Sequence, residues 1–302
     1  MEKLLTMQTA MLILLFTGYV LEKKNIMPET FRKALTDFII RFILPCNIIK
    51  SFLIKFDMQI LQDCMAILLV SCGTQVFSLV LARAFYGRTA DGKRQPLLYA
   101  TQISNAGFLG SPIAESLYGA QGLLYASVYL IPQRIMMWSM GVACFSGVRG
   151  KGVLKKVLTH PCIVAVMIGL VLMLAQLPLP DWFITPLSMV GGCNTALSLI
   201  VIGGVLAELD PRRVMNLQAS VYCAVRLLVI PLAVLGGCLV MGLESLVVQT
   251  AVILAGMPAP LTTAMLASQY GKDEEFAVSL IFLSTVVSMV TIPALCLVMT
   301  LL

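Results

Sequence analysis

The chain has 302 residues, 59% of them hydrophobic and only 12% charged. That balance excludes a soluble globular domain and marks a polytopic helical membrane protein. The net charge of +6 concentrates in short loops, so it signals membrane orientation and not a nucleic-acid partner.

Ten apolar segments approach the ~20 residues that cross a ~30 Å hydrocarbon core. The first, 6–21, has the length of a signal-peptide core, but it lacks a small-residue cleavage site and reads as a span. The second, 31–54, carries Asp37 and Arg41 at i,i+4 spacing, a locally neutral pair, and Asn47 at mid-depth. The third is 60–85. The fourth, 97–117, is interrupted by Ser104-Asn105-Ala106-Gly107-Phe108-Leu109-Gly110-Ser111-Pro112, and Glu115 lies toward its outer end, where a solvated position is expected. The fifth, 123–145, holds Arg134 about twelve residues in, roughly 18 Å at 1.5 Å per residue. After a short basic connector, His160 precedes Pro161, a pattern that opens a helix. Segments 161–177 and 183–206 follow, the second with Asn194 at mid-depth. Segment 217–241 holds Arg226, five residues before Pro231, whose freed carbonyls it is placed to cap. Segment 247–268 is interrupted by Gly256-Met257-Pro258-Ala259-Pro260-Leu261-Thr262-Thr263, and 276–302 is last. The nine cysteines show no CxxC spacing and read as small apolar residues.

Most Lys and Arg fall in alternate loops, near Asn25, Asp91, Gly152, Pro211 and Lys272, whereas the opposite loops hold Lys3, Lys50 and Lys55. The positive-inside rule then places both termini outside the cytoplasm. Five spans per half is an odd number, so related halves insert with opposite orientation. The halves are 1–147 and 161–302, joined by a cytoplasmic linker at 148–160. Tyr118-Gly119 and Tyr270-Gly271 recur after the two interruptions, and Cys46-Asn47 and Cys193-Asn194 recur in the second span of each half.

The two interruptions are the main functional signal. Lipid satisfies no broken backbone, so such breaks persist only where they line a cavity or lie buried in protein. Breaks at matching places in two halves point to a transporter's binding site.

These residues resemble the auxin efflux carrier family, which includes plant PIN proteins and bacterial malonate and malate carriers. The likeness covers essentially the whole chain. It is strongest in Ser104 to Pro112, Arg134 to Trp138 with Gly141, and Met257-Pro258-Ala259-Pro260 through Tyr270-Gly271, Phe276-Ala277, Ser284-Thr285, Ser288 and Pro293. The resemblance implies a fold similar to bile-acid sodium symporters: two inverted five-helix repeats, with spans four and nine crossing where they unwind. It further implies a scaffold of spans 1, 2, 6 and 7, a mobile core of spans 3–5 and 8–10, a homodimer, and elevator-type motion.

The candidate substrate-binding residues are Asn105, Ser104, Gly107, Arg134, Pro258, Pro260, Thr262, Thr263, Asn47 and Asn194, with Gly110, Pro112 and Gly256 shaping the crossover backbone. Free amides at half-helix N-termini suit an anion. Arg134 offers a carboxylate a bidentate fork or, alternatively, braces carbonyls of a broken helix. Arg226 and Glu115 are structural or coupling candidates. Met136-Met137 beside Trp138 reads as packing.

The expected activity is secondary transport of a small organic anion, a carboxylate such as malonate or malate or an auxin-like acid, in a bacterial plasma membrane. No Walker A sequence is present, so energy comes from a gradient or an exchanged solute. No cofactor or metal cluster is expected; sodium or a proton is the candidate coupling ion. A membrane sensor that binds without transport, a channel, and a sodium-coupled symporter of another solute are the alternatives. An enzyme is disfavoured, because the spans hold no HExxH and no paired mid-membrane aspartates.

Overall fold

The computed structural model describes residues 2–54, 57–90, 92–146, 158–176, 179–208 and 217–301, and among them every regular element is helical. The basic connector at 147–157 and the loop around Pro211 lie outside the described residues.

In chain order the helices are α1 (Glu2–Lys23), α2 (Glu29–Phe38), α3 (Leu44–Ser51), α4 (Met58–Tyr86), α5 (Arg94–Gln102), α6 (Ser111–Met136), α7 (Val142–Ser146), α8 (Pro161–Ala175), α9 (Asp181–Glu208), α10 (Leu217–Ala224), α11 (Ile230–Val240), α12 (Ser245–Ala255), α13 (Thr262–Gln269) and α14 (Glu274–Leu301). Four continuous stretches, Met58–Tyr86, Asp181–Ala207, Leu217–Val240 and Glu274–Thr300, are long and apolar enough to cross a bilayer by themselves. The expected span at 6–21 lies within the single helix α1, and those at 31–54, 97–117, 123–145 and 247–268 are divided among shorter helical pieces.

Proline placement explains several joints. Pro45, Pro112 and Pro231 each follow a five-residue π-turn, at Ile39–Ile43, Ala106–Gly110 and Val225–Val229, by two positions. Proline lacks an N–H and its ring crowds the carbonyl four residues back, so the helix widens by one residue instead of closing an α-turn. Two glycines do a different job. Gly119 and Gly271, which follow Tyr118 and Tyr270, adopt φ of +67° and +60°. Residues with a Cβ rarely tolerate that region. Gly119 thereby divides α6 into 111–118 and 120–136.

Packing falls into two groups. In one, α1 packs on α9, α9 on α3, and α3 on α8. In the other, α4 packs on α5 and α6, α12 on α6 and α11, and α14 on α10 and α13. The groups meet chiefly where α3 and α9 touch α6. The largest apolar core runs through both groups, from Ile48, Val166 and Val201 in the first to Leu124, Tyr125, Val247, Ile253 and Leu254 in the second.

Candidate functional site

The two interruptions are real breaks. Helix α5 stops because Ile103 turns extended (φ −104°, ψ 131°), and the chain resumes helical geometry at Ala106. Helix α12 stops at Gly256, and Pro258 and Pro260 supply no N–H until α13 begins at Thr262.

The breaks meet. The Asn105 N–H donates to the Pro258 carbonyl at 2.8 Å. The Ser104 hydroxyl lies 3.4 Å from the Leu254 carbonyl. Gly110 permits the approach: a Cβ there would stand 2.8 Å from Leu254 Cδ2 and 3.0 Å from Met257 Cγ.

The half-helix C-termini present orphan carbonyls, and side chains from other helices answer several polar backbone groups here. Tyr222 donates its hydroxyl to Ala100 O at 3.1 Å. Arg226 donates through Nη1 to Thr101 O at 3.2 Å and through Nε to Met257 O at 3.0 Å. Gln133 donates to Ser104 O at 2.7 Å while its own oxygen lies 3.1 Å from the Ser104 hydroxyl. The Ala259 N–H donates to the Ser284 hydroxyl at 3.0 Å.

The half-helix N-terminus after Asn105 is the opposite case. The N–H groups of Ala106, Gly107 and Phe108 have no acceptor among the described residues, nor does the Asn105 side-chain amide bond to any of them. Arg134 stands beside this turn, its Nη2 3.4 Å from where a Cβ on Gly107 would sit. Free amides, the positive end of a helix and a guanidinium thus converge on a half-buried Gly107. Such a set of donors has the charge and geometry that suit an anion.

Arg134 is held there by His160. Nη1 lies 3.1 Å from Nδ1 of the imidazole, which also accepts the Cys162 N–H at 3.3 Å as the N-cap of α8. Burial, then the Arg134 charge, pushes the His160 pKa down to about 4, so the ring stays neutral and accepting.

Among the other sequence candidates, Thr262 pairs with the Tyr99 hydroxyl at 2.9 Å, while Thr263 is buried with its hydroxyl unpaired among the described residues. Pro112 sits in the first turn of α6, and Pro260 O accepts the Thr263 N–H at 3.0 Å. Asn47 and Asn194 are both buried, and Asn47 sits against the 111–118 part of α6. Asn47 Nδ2 donates to Glu115 at 2.6 Å, and Gly191, one helical step from Asn194, packs on Asn47. Both Asn194 side-chain atoms are unpaired among the described residues.

Two expectations change. Glu115 is not a solvated helix-end residue; it is half-buried and tied to the buried Asn47. Arg226 does not cap carbonyls freed by Pro231, because the π-turn at Val225–Val229 absorbs that proline and aims the arginine at the crossover. The brace considered for Arg134 is the role Arg226 holds. Gln133 and Tyr222 were missed. Gln133 carried the same signal as Asn47, an amide within an apolar span. Tyr222, a phenol one turn before Arg226, gave none.

A family model described as "Membrane transport protein" matches residues 4–296. Among similar proteins, an "Uncharacterized transporter" of Methanothermobacter thermautotrophicus is 28% identical over 288 residues, covering 94% of each chain. An "Uncharacterized transporter" of Methanocaldococcus jannaschii is 21% identical over 296 residues, covering 93% of this chain and 94% of its own.

Proposed function

Because the chain belongs to this membrane transport protein family, the auxin efflux carrier-like group, we propose that it is a secondary transporter of a small organic anion, a carboxylate such as malonate, malate or an auxin-like acid. One observation carries the anion class: Arg134 and the unbonded amides of 106–108 face the same half-buried turn. A carboxylate takes two hydrogen bonds from a guanidinium fork and more from helix N-terminal amides. Asn105 orients the ligand through its side chain.

The proposed architecture is ten spans in two inverted five-helix repeats. Its supports are the positive-φ glycines after each break and the paired breaks themselves. The proposed scaffold is spans 1, 2, 6 and 7, and the packing of α1, α3, α8 and α9 with one another favours it. The rest of the helices then form the core that moves in an elevator-type cycle, and the Asn47–Glu115 hydrogen bond ties the two parts together in this state.

The proposed assembly is a homodimer in the plasma membrane. The Asp37–Arg41 pair supports it: both side chains are largely exposed, 58% and 71%, on a face with Phe38 and Phe42. Arg41 lies about 18 Å along the helix from Glu29, a depth at which a charge facing lipid is unfavourable and a protein neighbour is expected.

The test is counterflow into proteoliposomes with a panel of labelled mono- and dicarboxylates. Saturable exchange of one of them supports a carrier; stoichiometric binding without flux supports a sensor.

A further inference from the structure

Similarity to sodium symporters makes sodium a candidate coupling ion, held by carbonyls at the crossover. The residues present do not fit it. Helices α5 and α12 both bring their C-terminal ends to the breaks, so partial negative charge gathers there. Arg226 already meets it, with Nη1 3.2 Å from Thr101 O and Nε 3.0 Å from Met257 O. Its side chain is 2% exposed and has no carboxylate partner among the described residues. A buried guanidinium without a counter-ion persists only where dipoles compensate it. The neighbouring carbonyls have other donors: Tyr222 at Ala100 O, Gln133 at Ser104 O and the Asn105 N–H at Pro258 O. An alkali ion here would face a fixed positive charge, beside carbonyls of Ala100, Thr101, Ser104, Met257 and Pro258 that already accept hydrogen bonds.

We infer that Arg226 is a built-in cation of the crossover, standing where a coupling sodium ion would otherwise bind. This inference rests on the transport function proposed above and specifies its coupling. The positive charge travels with the protein and never dissociates, so the carrier works without sodium at this site. A sodium ion at the crossover then adds nothing to the charge moved per cycle.

The experiment is thermal unfolding of the purified full chain in detergent, which needs no transport. Wild-type protein is measured in sodium chloride and in choline chloride at equal ionic strength. Arg226→Ala and Arg134→Ala are measured with and without millimolar methylguanidinium. The expected results are no sodium-specific shift in wild type and a melting temperature lowered by several degrees in Arg226→Ala. Methylguanidinium should restore part of that loss in Arg226→Ala, and leave wild type and Arg134→Ala unmoved. Arg226→Lys keeps the charge and should fold with a smaller loss; it replaces the alanine variant if that fails to fold. A dose-dependent, sodium-specific stabilisation of wild type, or an Arg226→Ala protein as stable as wild type, overturns the inference. Failed carboxylate exchange with these unfolding results intact would count against the transport function alone.

Discussion

Asn105 and Pro258, each from the centre of a broken helix, are joined by a main-chain hydrogen bond of 2.8 Å from the asparagine N–H to the proline carbonyl. The bond uses only backbone atoms of Asn105, so it separates fold from recognition. Asn105→Ala keeps the N–H and should leave the melting temperature near wild type while weakening substrate binding. Asn105→Pro deletes the donor, leaves the buried Pro258 carbonyl unanswered, and should cost about 1–3 kcal/mol in stability together with all transport. Equal melting temperatures for the alanine and proline variants would contradict the bond's structural role.

Gln133 makes two reciprocal hydrogen bonds with Ser104. Gln133→Leu has similar bulk but strands the Ser104 carbonyl in the core, a loss of about 1–3 kcal/mol. Thermal unfolding in detergent should therefore show a clear decrease, and an unchanged transition would refute this assignment.

His160 gives the protein an acid sensitivity of known sign. Its folded pKa, about 4, lies below the ordinary value of 6.5 because of burial and then the Arg134 charge. The unfolded chain therefore takes up a proton before the folded one does. The stability tied to the neutral ring is fully present above pH 6.5 and is lost as pH falls toward 4. Wild type should unfold at a lower temperature at pH 5 than at pH 7, and His160→Gln should flatten that dependence. An identical pH profile in the variant would count against the Arg134–His160 contact.

The exposed Asp37–Arg41 face predicts a neighbour. Replacing Cys72 and Cys193, the exposed cysteines, and introducing Phe38→Cys should give oxidative cross-linking between two copies in native membranes. The same change at Val240, 90% exposed on another helix, serves as the control. Equal cross-linking at both positions, or none at either, would argue against a dimer through this face.

Much of the site was legible in the sequence because its signals are local. Pro258 and Pro260 withhold two amides within five residues, and the glycine-rich run after Asn105 marks the other interruption; the structure has breaks at both places, with Gly107 and Gly110 in the helical turn that follows the first. The Asp37–Arg41 pair was also local, and it forms with a 2.6 Å contact. Arg226 was harder. Its partners, Thr101 O and Met257 O, come from distant parts of the chain, and sequence spacing offered Pro231 instead. The π-turn decides the matter by rotating Arg226 toward the breaks, and a widened turn is not visible in a pattern read at 3.6 residues per turn. Glu115 was misplaced for a similar reason: its position near a helix end suggested water, but Asn47 from another span covers it. The donor that answers each carbonyl is a tertiary fact.

The anion-binding role of Arg134 is tested most directly by equilibrium binding of the best exchanged carboxylate to purified wild type, Arg134→Ala and Arg134→Lys. A charged hydrogen bond contributes about 1.5–3 kcal/mol, so Arg134→Ala should bind roughly 10- to 100-fold more weakly with its melting temperature little changed. Arg134→Lys should fall between, because it keeps the charge and loses the fork. Equal affinity in all three proteins would contradict an anion site built from Arg134 and the amides of 106–108.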